Sequence, residues 1–144
     1  MAKMSARGWS FEIRAADGVT WLPILGIKKW EENRSENGAL TETTDFQSAG
    51  QWEGQKMQVG GKLKLEGFGD FDASGVQSAG QARVEAMHSQ LGSTSVARLR
   101  FRHSTQMTYV VWDCLIELGN RGGENNDMTA WEAEFTRTGA ATTM

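Results

Sequence analysis

Apolar side chains recur at every second position along much of the chain. Trp9, Phe11 and Ile13 alternate with Ser10, Glu12 and Arg14, the pattern of a half-buried strand. Asp17-Gly18 follows, a pair that favours a type I′ hairpin because both central residues need positive φ. Val19–Leu22 is the returning strand. Pro23, the only proline, marks a bend or an edge, and Ile24–Trp30 resumes the strand pattern. Trp52–Val59 is a weaker strand that Gly60-Gly61 breaks. Lys62–Phe71 sets Leu63 and Leu65 against Lys64 and Glu66. Val96–His103 sets Ala97, Leu99 and Phe101 against Arg98, Arg100 and Arg102. Met107–Leu118, the longest apolar run, predicts a central strand. Its faces carry Tyr109 and Val111, and Val110, Trp112 and Ile116. Gly119–Asp127 is turn chemistry throughout. Thr129–Thr138 is the last strand, with Trp131, Ala133 and Phe135 facing away from Glu132, Glu134 and Thr136. Helical period occurs over Ser78–Leu91, where Val84, Met87, His88 and Leu91 share one face. Ser78 and Gln81 have capping-box spacing, and Gly92 is placed to stop the helix. The sum predicts a mainly β chain: an antiparallel β-sandwich or barrel flanked by one α-helix.

The rhythm fails between Trp30 and Trp52. Glu31–Thr43 follows neither a period of two nor one of 3.6, and so reads as irregular. Irregular segments of this length in a small domain are usually functional or disordered. The stretch closes on Thr43-Thr44-Asp45-Phe46-Gln47-Ser48-Ala49-Gly50. Residues 31–50 are therefore expected to be an arm that finds its order against another subunit. They belong to one domain, 1–144, with an N-terminal arm at 1–8 and a small-residue tail at 139–144.

Composition supports that picture. Leu, Ile, Val and Phe make up 26 of 144 residues. That is just under the ~20% which signals disorder when net charge is also high. The net charge of −3 is too small for that. A folded domain whose unpacked segments bury surface on neighbours fits better. The single cysteine, Cys114, cannot form an internal disulfide. No N-terminal apolar run resembles a signal peptide, and no apolar run is long enough to span a bilayer as a helix. Mild acidity argues against tight nucleic-acid binding, which needs a basic footprint.

Candidate chemistry is sparse. His88, His103 and Cys114 lack metal-ligand spacing, and no triad or carboxylate pair is legible. No catalysis, cofactor or metal is expected. His88 reads as a partly buried helix residue, His103 as a strand end and Cys114 as a small core hydrophobe. Gly67-Phe68-Gly69 lacks the strand–turn–helix context of a phosphate loop. Glu124, Asn125, Asn126 and Asp127 are oxygen-rich but do not match a calcium loop, so a solvated turn is the reading. The stripe Arg98, Arg100, Arg102 could contact a polyanion. On a net-acidic chain, pairing is favoured, with Glu132, Glu134 or Glu117 across strands or with an adjacent subunit. Most tryptophans sit at alternating strand positions, where core or interface burial is the commoner role.

Four pieces in order carry a resemblance. A strand ends in Ile24-Leu25-Gly26-Ile27-Lys28-Lys29-Trp30. A long polar loop closes on Thr43-Thr44-Asp45-Phe46-Gln47-Ser48-Ala49-Gly50. A helix opens near Gly80-Gln81 and holds Arg83, Val84 and Glu85. A last strand carries Glu134, Phe135 and Thr136 before Thr138-Gly139. Together these resemble the tail tube (major tail) proteins of long-tailed bacteriophages, in order from Ile24 to Gly139. The Thr-Thr-Asp-Phe-x-Ser-x-Gly piece is the most specific part; the helix and last strand are generic.

The resemblance implies a structural virion protein of the tail, assembled in the bacterial host cytoplasm. Copies would form rings, usually hexamers, whose sheets join into a barrel around a channel. The rings would stack through the early loop and the terminal arms. Implied partners are further copies of the chain, a tape measure protein, tail terminator or baseplate proteins, and double-stranded DNA in passage. Stacking is expected from Trp30, Glu31, Glu32, Arg34, Asp45, Phe46, Ser48 and Trp52. Glu132 and Glu134 are the candidates for an acidic lumen that repels phosphates. The arginine stripe is expected to be paired or to lie elsewhere. The inner tube of a contractile tail, or a type VI-like ring protein, would share this geometry but have a sheath partner. A lectin-like β-sandwich would instead expose tryptophans to sugars, and a small hydrolase has the weakest support.

Overall fold

The computed structural model describes residues 3–144, so Met1 and Ala2 of the expected N-terminal arm lie outside the described residues. The strands before the helix are β1 (Trp9–Arg14), β2 (Trp21–Pro23), β3 (Ile27–Asn33), β4 (Ala39–Glu42), β5 (Gly54–Gln58) and β6 (Lys62–Phe68). Helix α1 spans Ala79–His88. It is followed by β7 (Val96–His103), β8 (Val110–Leu118), β9 (Ala130–Arg137) and β10 (Thr142–Thr143). One antiparallel sheet runs β2-β1-β7-β8-β9-β6-β3, with β10 beside the start of β8. Among the described residues, β4 and β5 pair with each other alone. The fold is thus mainly β and antiparallel with a single helix, as the alternation predicts.

Alternation decides which face is inside. β7 buries Ala97, Leu99, Phe101 and His103; β6 buries Leu63 and Leu65; β9 buries Trp131, Ala133 and Phe135. Trp112 and Phe135 are the largest fully buried side chains. Burial of such a side chain contributes about 1.5–3 kcal/mol. The sheet curls until its ends face each other. Trp30 of β3 lies 5.1 Å from Trp9 and 5.6 Å from Phe11 of β1, ring centre to ring centre. No ladder joins β1 to β3, so the curled sheet keeps an open seam.

One pole of this curled sheet is clamped by a buried glutamine. Gln81 Nε2 donates to Leu25 O at 2.7 Å and Phe68 O at 2.9 Å, while its Oε1 accepts from Asp70 N at 2.9 Å. The helix start, the β2–β3 link and the end of β6 are tied at one point. Close approach requires glycine here. A Cβ on Gly80 would fall 2.0 Å from Pro23 O, and one on Gly26, at φ +81°, would fall 2.4 Å from Phe68 O.

Several expectations are corrected. Gln81 is not half of a capping box: it turns inward, and Ser78 makes no side-chain cap bond. The helix ends at His88, so Leu91 falls outside it and is 86% exposed; His88 is exposed too. Val84 and Met87 do bury, joined by Gly80 and Gln81. Gly92 opens a short 3-10 turn instead of stopping the helix. β8 starts at Val110, and part of the 139–144 tail is a strand: Thr142–Thr143 pair with Val110 and Val111, and Tyr109 and Met144 exchange backbone hydrogen bonds at 3.0 Å. The N-terminal segment is exposed but hydrogen-bonded to the body from Ser5. Ser5 O faces His103 Nε2 at 3.2 Å, and Ala6 O accepts from Trp30 Nε1 at 3.3 Å.

Candidate assembly surfaces

The segment read as irregular is an exposed ribbon. β3 and β6 form the root of a long hairpin, and the ladder breaks and resumes as β4 and β5. On the outgoing limb, Asn33 Oδ1 accepts from Ser35 N, Ser35 O accepts from Gly38 N, and Asn37 takes φ +59°. On the return limb, Gly60 lies so close that a Cβ would sit 2.3 Å from Glu36 O. Glu31 and Glu32 therefore belong to β3, and Ala39–Glu42 to β4. The period of two is missing for a physical reason. Every residue of β4 and β5 is exposed, so no buried face imposes alternation.

Polar groups order the ribbon's tip. Thr43 N and Thr44 Oγ1 both donate to Glu53 O, and Glu53 N donates back to Thr44 Oγ1 at 2.8 Å. Asp45 caps a 3-10 turn over Phe46–Ser48: its Oδ1 accepts from Gln47 N at 2.9 Å, and Ser48 Oγ accepts from Asp45 N at 3.1 Å. Ala49 and Gly50, both at positive φ, turn the chain back. The motif Thr-Thr-Asp-Phe-x-Ser-x-Gly is thus a self-bonded turn that leaves Phe46 fully exposed (102%). Leu40, Trp52, Met57 and Val59 are exposed as well, with the Trp52 ring lying over Gly54.

The residues expected to stack therefore divide. Trp30 is in the seam, and Glu31, Glu32 and Arg34 lie at the root, with Arg34 paired to Glu32 at 3.7 Å. Asp45, Phe46, Ser48 and Trp52 lie at the tip. Ser48 is buried there by its own turn.

The outer face of the sheet holds both the arginine stripe and the carboxylates expected in a lumen. Arg98 meets Asp113 at 3.5 Å. Arg100 pairs with Glu12 at 3.0 Å, its guanidinium 4.4 Å from the Trp21 ring and 4.0 Å from that of Tyr109. Arg102 lies 4.3 Å from Tyr109 and donates to Gln106 O. The partners are thus not Glu117, Glu132 or Glu134. β9 lies one strand beyond β8, and Glu117 lies past the last β7–β8 pair, Val96 with Leu115. Glu134 instead pairs with Lys62 at 3.3 Å, and Glu132 folds against Gly119. Lys64 and Glu66 meet at 3.0 Å; their hydrogen bond raises the lysine pKa and lowers that of the carboxylate. The face is a mosaic of paired charges, not an acidic wall.

A groove of about 440 Å³ runs along the open seam, lined by Ala6, Arg7, Trp9, Phe11, Ile27, Lys28, Lys29 and Trp30. No short-range pattern could reveal it, because β1 and β3 meet only when the sheet curls.

The remaining candidates are structural. His103 Nδ1 accepts from Thr105 N, which leaves the Nε2 proton for Ser5 O. Exposed His88 accepts from Leu118 N through Nδ1. Cys114 is buried, and burial first, then the nearby Asp113 charge, pushes its thiol up to about 12. Asp127 Oδ2 accepts from Glu124 N, a side-chain-closed turn. Among the described residues no group of three or more His, Cys, Asp or Glu could hold a metal ion, and no helix is long and apolar enough to cross a membrane.

No protein-family model and no curated protein sequence matches the chain. Solved structures do. A chain from the virion of a native gene transfer agent particle is 11% identical, with 99% of both chains covered and a TM-score of 0.73. A chain from the tail of an empty gene transfer agent particle, computed with helical refinement and C6 symmetry, is 14% identical over 99% of both chains with a TM-score of 0.74. A chain from the six-fold symmetrised baseplate of the anti-feeding prophage is 12% identical. It covers 100% of this chain and 97% of that one, with a TM-score of 0.62. At these identities the likeness establishes a shared fold over the whole chain.

Proposed function

We propose that this chain is a structural subunit of a phage-type tail, assembling as stacked rings, six to a ring, into a tube through which DNA leaves the particle. The observation that carries this is the ribbon. Its strands bury nothing on their own molecule, yet its tip is shaped by its own hydrogen bonds. Order without self-burial suits a part whose partner is another molecule. The seam supports the same reading, since an unpaired strand edge such as that of β3 is a liability unless another chain covers it. Ribbon and seam are different surfaces, so contacts between copies are heterologous and close into rings or extend into filaments. The full-length likeness to chains of tail particles, one of them with C6 symmetry, is consistent with this.

The outer sheet face is the proposed channel wall, which puts Glu132 and Glu134 beside the arginines. Because most of those cations are paired or stacked, few remain for phosphates. DNA would slide past without being held. This replaces repulsion by a uniformly acidic lumen. Tape measure and terminator or baseplate proteins would bound the tube's length and ends.

Negative-stain electron microscopy of concentrated protein tests the proposal. Stacked rings with a central hole are the expected result, and persistent monomers at every concentration would sink it. A second reading, the inner tube of a contractile particle, is favoured by the likeness to the anti-feeding prophage baseplate chain. Co-purification of a sheath subunit from the native source separates the two.

A further inference from the structure

We propose that the seam groove between β1 and β3 is the seat for the ribbon tip, residues 41–54, of a second copy. This rests on the reading that copies assemble, and goes on to name both halves of one contact.

Charge is the first argument. Arg7, Lys28 and Lys29 line the groove together with no carboxylate; among the described residues none of the three is in an ion pair, and Lys28 Nζ lies 5.0 Å from the Phe68 ring. Residues 41–54 carry Glu42, Asp45 and Glu53 and no lysine or arginine. The chain as a whole is close to neutral, so the separation of a purely acidic tip from a purely basic groove is a local feature. Complementary patches of this kind steer encounter and fix register.

Apolar fit is the second. The groove's apolar lining includes Trp9, Ile27 and Trp30, and its volume of about 440 Å³ leaves room for an aromatic side chain. Phe46 stands fully exposed at the tip, held out by the Asp45–Ser48 turn. A rigid aromatic presented from a pre-ordered turn loses little entropy on docking. It is the type of residue that anchors interfaces when it enters a pocket rimmed by polar groups.

Backbone is the third. β3 pairs on one side only, and so do β4 and β5. An incoming ribbon could satisfy the β3 edge while covering its own. The exposure of Phe46 means that the tip does not occupy its own groove. One copy therefore gives a tip and receives another, and the contact repeats without end until it closes.

Cross-linking tests the seat. A Gln47→Cys chain is mixed with an Ala6→Cys chain, which leaves Phe46 and the groove lysines in place; the mixture is assembled and treated with a short bismaleimide. The native thiol, Cys114, is buried and stays silent. Leu115→Cys, on β8 midway round the sheet from the seam, is the control. Assembly with covalent Gln47→Cys/Ala6→Cys dimers well above the Leu115→Cys mixture is the expected result. Assembly with as much coupling at Leu115→Cys overturns the seat and leaves the tube reading standing. Wild-type protein that never assembles overturns both.

Charge exchange is the second arm. Lys28→Glu with Lys29→Glu should raise the concentration needed for assembly on the order of a hundredfold, and adding Glu42→Lys with Glu53→Lys to the same chain should restore it. All four positions are exposed or half-buried surface charges, and circular dichroism confirms folding of each variant. A folded fourfold variant that stays as weak as the double variant overturns the pairing.

Discussion

β6 and β5 are neighbours in sequence, and both are strands, yet they are held in opposite ways. β6 alternates, with Leu63 and Leu65 fully buried and Lys62, Lys64 and Glu66 turned outward. β5 has five exposed residues and one partner, β4. A lone two-stranded hairpin is marginal in water. The ribbon persists through side-chain-to-backbone bonds at its tip and through its root in the sheet. Burial fixes the position of β6, whereas the ribbon's geometry is set by hydrogen bonds that water can rival. The body is held by burial and the ribbon by hydrogen bonding alone; on the function proposed above, contact with another copy would complete it.

That contrast can be broken in several ways. The largest effect should come from one residue type in two places. Phe135→Ala removes a fully buried ring and should cost about 3–5 kcal/mol in denaturant unfolding. Phe46→Ala should stay within about 0.5 kcal/mol and act on assembly alone. Equal losses would mean that the ribbon is part of the core. Next comes Gln81→Leu, which removes the partner of Leu25 O, Phe68 O and Asp70 N at a part-buried junction. A loss of about 2–3 kcal/mol is expected, and a stability equal to wild type would remove the glutamine clamp from the account.

Smaller still is Asp45→Ala. Loss of this cap should cost about 1 kcal/mol locally. The readout is faster amide exchange at Gln47 and Ser48 with an unchanged global midpoint. A shift of the midpoint by the same amount would couple tip and body. The smallest effect is at Asp17, which uses the same device in a turn of the body. The Thr20 and Val19 backbone N–H groups, then the Thr20 hydroxyl, hold its carboxyl down at about 2. Its folded-state pKa lies below the unfolded one. Its contribution is therefore complete above about pH 4 and disappears as pH falls through about 2. The stability of Asp17→Asn should vary less than wild type across that interval. Identical slopes would leave the turn without a role in acid stability.

The division between body and ribbon also explains what could be read in advance. Strands with one wet face announced themselves: β1, β6, β7 and β9 bury every second residue, as the alternation predicts. β4 gave no such signal, because exposure on both faces leaves nothing to alternate. The helix was legible but too long, since Leu91 satisfies a 3.6-residue period while facing solvent. The arginine pairings differ from the expectation because strand order and register, which set Glu12 opposite Arg100 and Asp113 opposite Arg98, are long-range facts. The candidate site split along the same line. The tip motif lies within eight consecutive residues and was visible. The groove combines residues 6–11 with residues 27–30 and was not.

The gap in the long hairpin has a mechanical meaning. A continuous ladder would carry the sheet's twist, about 20–25° between adjacent strands, straight into the ribbon and fix its heading. Here the ladder stops at Asn33 and Lys62 and resumes at Ala39 and Gln58, with Gly38, Gly60 and Gly61 between. The break is braced all the same: Gly61 O accepts from Arg137 N, Gly38 N donates to Ser35 O, and Gly60 packs against Glu36 O. Local contacts, not the ladder, therefore set the ribbon's heading. In the proposed tube the ribbon would meet its neighbour at an angle of its own, independent of the twist of the sheet that carries it.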